Sequence, residues 1–156
     1  MTENLADVAR RTDEATSRAR SELVGAVRRA AAAGMTQAQI AQQIGRSQPE
    51  VSRLLRFHGT SPLARRLRAS ASQVRQIVAE AGGSRVRVFG SVANGRDNPD
   101  SDIDLVFTMG KPLSLMEIGR LELRLADAVG ARVDLVPDSA IRPDIRERVL
   151  AEAVAL

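Results

Sequence analysis

Apolar residues recur along this chain with a spacing that changes part-way. In the first half they fall three and four positions apart, as on a helix face, and beyond residue 84 short stretches of spacing two appear between helical ones. Residues 3–33 are rich in Ala, Arg and Glu and lack proline, and Leu23, Val24, Val27 and Ala30 share one face before Gly34 stops the helix. Thr36 opens a second helix, "TQAQIAQQI", with Gln39 at the reciprocal capping-box position, and Gly45 breaks it. A third helix, "SQPEVSRLLRF", has Ser47 as its cap, Pro49 in its first turn and Glu50 completing another capping box. Gly59 and Pro62 end this region, and "HGTSPLARRLRAS" reads as a connector that becomes helical.

The second half alternates. An amphipathic helix, "SQVRQIVAEAGG", precedes a strand, "RVRVFGSV", in which Val86, Val88 and Gly90 alternate with arginines. Then follow strand "SDIDLVFT", helix "LSLMEIGRLELRLADAVG", strand "RVDLVP", helix "DSAIRPDIRERVLAEA" and a closing "VAL". Strands alternating with helices predict an α/β arrangement with a partly parallel sheet. The expected organisation is a helical domain over 1–60, a linker leading into helix over 61–71, and an α/β domain over 72–156.

Charge sharpens that division. Residues 1–75 hold 13 arginines against 6 acids, and residues 76–156 hold 10 basic residues against 13 acids. A net of +7 followed by −3 makes the first half a candidate for phosphate-rich partners. The chain has no cysteine, which excludes disulfides and thiolate metal sites and fits a reducing cytoplasm. It shows neither the apolar core of a secretory signal nor a run long enough to span a membrane. His58 is the only histidine, expected to be exposed, so a histidine-based metal site or Ser/His/Asp triad is not anticipated.

Residues 34–57 place two short capped helices about a Gly-containing turn, with Ala38, Ile40, Ile44, Val51, Leu54 and Leu55 supplying the packing. This segment resembles the helix-turn-helix of bacterial regulators. The resemblance implies that 47–57 form a recognition helix in the major groove of double-stranded operator DNA. Gln48, Ser52 and Arg53 are then the candidates for base contacts, and Arg46 and Arg56 for phosphates. Because one unit covers little DNA, a homodimer on a two-fold operator is expected. The alternative is a helical hairpin used for protein contacts.

The candidate chemistry lies in "VFGSVANGRDNPDSDIDLVF". On a strand, Asp102 and Asp104 would project to one side while Ile103 and Leu105 pack into the core. Two carboxylates so close repel each other unless a cation sits between them, and hard oxygen ligands suit Mg²⁺. Asp134, flanked by Val133 and Leu135, offers a third carboxylate on another strand, a set suited to metal-assisted phosphoryl or nucleotidyl transfer. Gly90-Ser91, where a strand ends, offers backbone N–H groups and a hydroxyl for a triphosphate.

Gly90-Ser91, ten residues, then Asp102-Ile103-Asp104, with Asp134 later, resembles the minimal nucleotidyltransferases of the DNA-polymerase-beta superfamily. The resemblance implies a small mixed-sheet domain behind the all-α helix-turn-helix domain. It implies two Mg²⁺ ions on Asp102 and Asp104, Asp134 assisting metal binding or deprotonation of the attacking hydroxyl, and ATP or another nucleotide held by Gly90, Ser91 and Arg96. Many members carry arginines in the segment occupied here by "VANG". Val92 and Asn94 stand there instead, leaving Arg96 as the nearest cation. Small members of this family act as antitoxins that transfer AMP to a HEPN-type ribonuclease toxin, so the implied function is an antitoxin that also binds its own promoter. The alternatives are a non-catalytic transcriptional repressor and a transferase toxin acting on RNA. Since the chain has no tyrosine, an acceptor tyrosine would have to lie on another molecule.

Overall fold

The Ala/Arg-rich opening of the chain folds as one uninterrupted helix, α1 (Leu5–Ala32), whose N-terminal N–H of Ala6 is met by the Asn4 side chain. The computed structural model describes residues 4–156, so Glu3, with which the expected helix begins, lies outside the described residues. Cα packing separates two units, one up to Leu55 and one from Arg56 to Leu156.

In the first unit α1 is followed by α2 (Gln37–Ile44) and α3 (Gln48–Leu55). Both expected caps form. The Thr36 hydroxyl accepts from Gln39 N while Gln39 returns the bond to Thr36 N. Glu50 accepts from Ser47 N at 2.8 Å, which holds its carboxyl below the usual range. Val27, Ile40, Ala41, Val51 and Leu54 form the core, with Leu23, Val24 and Ala30 packed against it. Ala38 is exposed, contrary to expectation, and Ala41 takes its place. On α2 the inward face is Ile40, Ala41 and Ile44, and Ala38 sits two residues from Ile40, on the far side of the helix.

The second unit is built on a sheet of order β3-β2-β1-β4, made from β1 (Gly83–Phe89), β2 (Ile103–Met109), β3 (Val133–Pro137) and β4 (Val154–Ala155). β1 pairs antiparallel with β2 and β4, and β2 pairs parallel with β3, so the sheet is mixed. Alternation along the strands separates two faces. Val88, Ile103, Leu105, Phe107 and Leu135 pack against helices α4 (Pro62–Ala69), α5 (Ala71–Glu80) and α7 (Leu115–Val129). Phe89, Val106 and Val136 turn to the other face, under Ile141, Ile145 and Val149, the last two from α8 (Pro143–Glu152). A capping box between Ser114 and Glu117 starts α7, with Ser114 N donating to Glu117 at 2.7 Å.

Three boundaries differ from expectation. Residues 61–71 are not a linker: Ser61 caps α4, and Leu63, Ala64 and Leu67 are buried in the core of the second unit. The arginines on the opposite face of α4 disguised this short helix as a connector. The division accordingly falls after Leu55 rather than at residue 60. Arg56 belongs to no helix, since α3 ends at Leu55 and Arg56 forms a β-bridge with Ala155. Gly90 is not part of β1 but begins α6 (Gly90–Asn94), and Val92 of this turn is buried in the core. Among the described residues no helix is long and apolar enough to cross a membrane.

Candidate active site

Strand register assembles the site. Phe89 of β1 is the partner of Asp104 across the antiparallel pair, and Asp104 is the partner of Asp134 across the parallel pair. Ile103 and Leu105 are fully buried on the helix-packed face, so Asp104 projects on the other, as the period of two requires. Asp102 sits in the approach to β2, one residue before its first position. The Gly-Ser pair follows Phe89 directly. Gly90 has φ +72°, and a Cβ there would collide with the Asp104 carboxylate, so only glycine lets β2's acid lie against this backbone.

The electrostatics reflect this crowding. Burial raises the Asp104 carboxyl to about 6, reinforced by the charges of Asp134 and then Asp102. Asp134 is exposed and Asp102 half-buried. Asp102 Oδ1 lies 2.8 Å from Arg132 Nε, an ion-pair distance. The two are not aligned as a hydrogen bond, and this buried oxygen has no other partner. A second Arg132 nitrogen donates to the Asp100 carbonyl at 3.0 Å.

Among the described residues no three His, Cys, Asp or Glu side chains stand together as a metal cage. The donor set nevertheless fits Mg²⁺, which characteristically takes one or two carboxylates and completes its shell with water and substrate phosphates. Asp104, crowded by Asp102 and Asp134, is a carboxylate that a divalent cation would relieve.

The matched segment agrees with this geometry. Residues 71–156, more than half of the chain, match the family described as Nucleotidyltransferase domain. The chain belongs to this family. A Methanocaldococcus jannaschii protein named as a candidate protein adenylyltransferase is 35% identical over 78 residues, covering 50% of this chain and 84% of that protein. Protein adenylyltransferase MntA of Thermococcus cleftensis is 38% identical over 69 residues, covering 44% of this chain and 70% of its own. A solved structure described as a candidate minimal nucleotidyltransferase superposes with a TM-score of 0.55 at 40% identity, covering 64% of this chain and 100% of that one. Nucleotidyltransferases of this kind use a nucleoside triphosphate and a divalent metal.

Within the nucleotidyltransferase domain, some expected neighbours are displaced. Ser91 is the second residue of α6, and its carbonyl accepts from the Gly95 and Arg96 N–H groups. The Arg96 side chain is exposed, and it is Arg132 that pairs with one of the three acids, Asp102. The only sequence signal for Arg132 is its place in "RVDLV", two positions before Asp134 and immediately ahead of β3. Asp97, in the loop before β2, is half-buried and its Oδ1 has no hydrogen-bond partner. The Asn98 side chain shapes the loop, accepting from Asp100 N at 2.9 Å.

In the helical unit, Gln48 and Arg53 lie exposed on α3 and Ser52 is half-buried on the same helix. Arg46 is exposed just before α3, its N–H donated to Ala41 O. His58 is exposed.

Proposed function

We propose that this chain is the antitoxin of a toxin–antitoxin pair, an Mg²⁺-dependent nucleotidyltransferase that moves AMP from ATP onto a partner toxin and binds its own promoter. The observation that carries the catalytic part is the register placing Asp104 between Gly90 and Asp134. Asp102 and Asp104 would hold two Mg²⁺ ions, with Asp134 as the third carboxylate. Bound Mg²⁺ supplies charge neutralisation of the triphosphate and activation of the α-phosphorus. Gly90 and Ser91 receive phosphate oxygens, with Arg96 beside them. An acceptor hydroxyl on the toxin forms the new O–P bond, pyrophosphate leaves, and the hydroxyl proton passes to the Asp134 carboxylate. The adenylyl group and the protein acceptor are suggested by the relatives' names. The acceptor lies on another molecule if it is a tyrosine, since the chain has none.

For the helical unit, α2 and α3 support a helix-turn-helix reading, with Gln48, Ser52 and Arg53 toward bases and Arg46 toward phosphate. Arg56, at its β-bridge, would contribute only from outside the recognition helix. A homodimer on a two-fold operator completes the proposal. A cytoplasmic setting fits the absence of cysteine.

The second reading, a non-catalytic repressor, is favoured by the engagement of Asp102 with Arg132. The two separate when the chain is incubated with α-labelled ATP, Mg²⁺ and the product of the neighbouring gene. Label should appear on the partner and disappear with Asp104→Asn. No transfer from any of the common nucleotides would leave the repressor reading.

A further inference from the structure

The surroundings of Asp102 contain a group with no assigned task. Arg132 begins the approach to β3, and its carbonyl accepts from Ile103 N at 2.9 Å, so its backbone is tied to the first residue of β2. Its side chain then turns back along the same edge, with Nε 2.8 Å from Asp102 Oδ1 and a terminal nitrogen 3.0 Å from Asp100 O. That oxygen of Asp102 is buried and has no other partner. The Arg132 side chain is 76% exposed. An ion pair open to solvent on one side is weak and is readily exchanged for a better-matched charge.

Arg132 stands immediately before β3, two residues ahead of Asp134, and its ion pair with Asp102 brings the guanidinium to the group of carboxylates around Asp104. The segment in which the family carries arginines cannot supply a cation from position 92, because Val92 is packed in the core. Arginine is also the side chain best matched to phosphate, which it binds with two parallel N–H bonds.

We infer that Arg132 is a positioning residue that occupies Asp102 until substrate arrives, then releases it to the metal and turns its guanidinium to the triphosphate. This rests on the reading of Asp102 as a metal ligand. In the resting protein Arg132 neutralises Asp102 and competes with a divalent cation. With nucleotide present the phosphates offer the guanidinium a stronger partner, and the carboxylate is freed at the same moment. Metal and nucleotide therefore bind with positive coupling.

The test uses the full chain and Mn²⁺ as the probe, with free Mn²⁺ read by electron paramagnetic resonance, with and without a non-hydrolysable ATP analogue. Without nucleotide, Arg132→Ala should bind Mn²⁺ about twofold to fivefold more tightly than the parent, the change expected on removing an exposed ion pair. With the analogue, the same variant should lose the tightening that nucleotide gives the parent, and Arg132→Lys should recover part of it. Unchanged or weaker Mn²⁺ binding by a folded Arg132→Ala, or coupling that survives the substitution, would overturn the inference. Asp102→Asn separates the two levels. If it leaves Mn²⁺ binding intact, the ligand reading itself fails. If it abolishes binding while Arg132→Ala behaves as the parent, only the role of Arg132 fails.

Discussion

The carboxylate of Asp104 lies against the Cα of Gly90, with no room for a side chain between them. A strand-borne acid thus meets the Gly90-Ser91 turn that follows the neighbouring strand through a missing methyl group. Gly90→Ala must move Asp104 and also hold alanine at φ +72°. We expect it to destabilise the fold by at least about 1 kcal/mol, and to lower AMP transfer by roughly 100-fold through misplaced carboxylates. Thermal melts and label transfer check this, and a variant matching the parent in both would remove the contact from the argument.

Asp104 sets a pH dependence. Its folded-state value is raised to about 6, so between the ordinary carboxylate range and that value the folded protein binds more protons than the unfolded one. Stability from this group is fully present below the unfolded pKa and is lost as pH rises through about 6. In EDTA, Asp104→Asn should therefore be more stable than the parent near neutral pH, with the advantage vanishing in acid. Melts of both proteins from about pH 4.5 to about pH 8 decide it. A pH-independent difference would refute the assignment.

Divalent-metal binding should run the other way. Protons compete for Asp104, so Mn²⁺ affinity should fall as pH drops through about 6. Asp104→Asn should remove both the binding and its pH dependence. Titrations at several pH values would show this, and a flat profile would place the metal elsewhere.

Leu67 tests the extent of the transferase unit. It is fully buried in the core shared by α4, α5 and α7, and Leu67→Ala should cost roughly 2–5 kcal/mol. Denaturant titration measures it. A cost well under about 1 kcal/mol would return α4 to the role of connector.

For the helical unit, Arg53→Ala should weaken binding to the chain's own promoter by about 1–3 kcal/mol and relax its sequence preference. Arg46→Ala should instead weaken all sequences alike and reduce the salt dependence by about one counterion. Gel-shift titrations on promoter and scrambled DNA at several salt concentrations separate them. If the parent itself prefers neither DNA, α3 is not a recognition helix.

Much of this molecule was readable from local pattern. The capping pairs Thr36–Gln39 and Ser47–Glu50, the stop at Gly45, and the alternation that turns Asp104 away from the buried Ile103 and Leu105 all depend on residues within a turn or two of each other. Ser114–Glu117 carries the same local signature at the start of α7. A local signal also misled at α4, where three arginines on eight residues masked the inward Leu63 and Leu67.

Sequence alone therefore determined most of the helices and strands and the three acids at or near strand starts, because periodicity and caps are short-range, while α4 and the short α6 that begins at Gly90 emerged only with the packing around them. Tertiary structure decided which of these groups touch. Asp104 facing both Phe89 and Asp134, Gly90 bare beneath its carboxylate, and Arg132 rather than Arg96 on Asp102 all follow from strand pairing. Register joins residues far apart in the chain, and a shift of one position would have turned every one of those side chains to the opposite face.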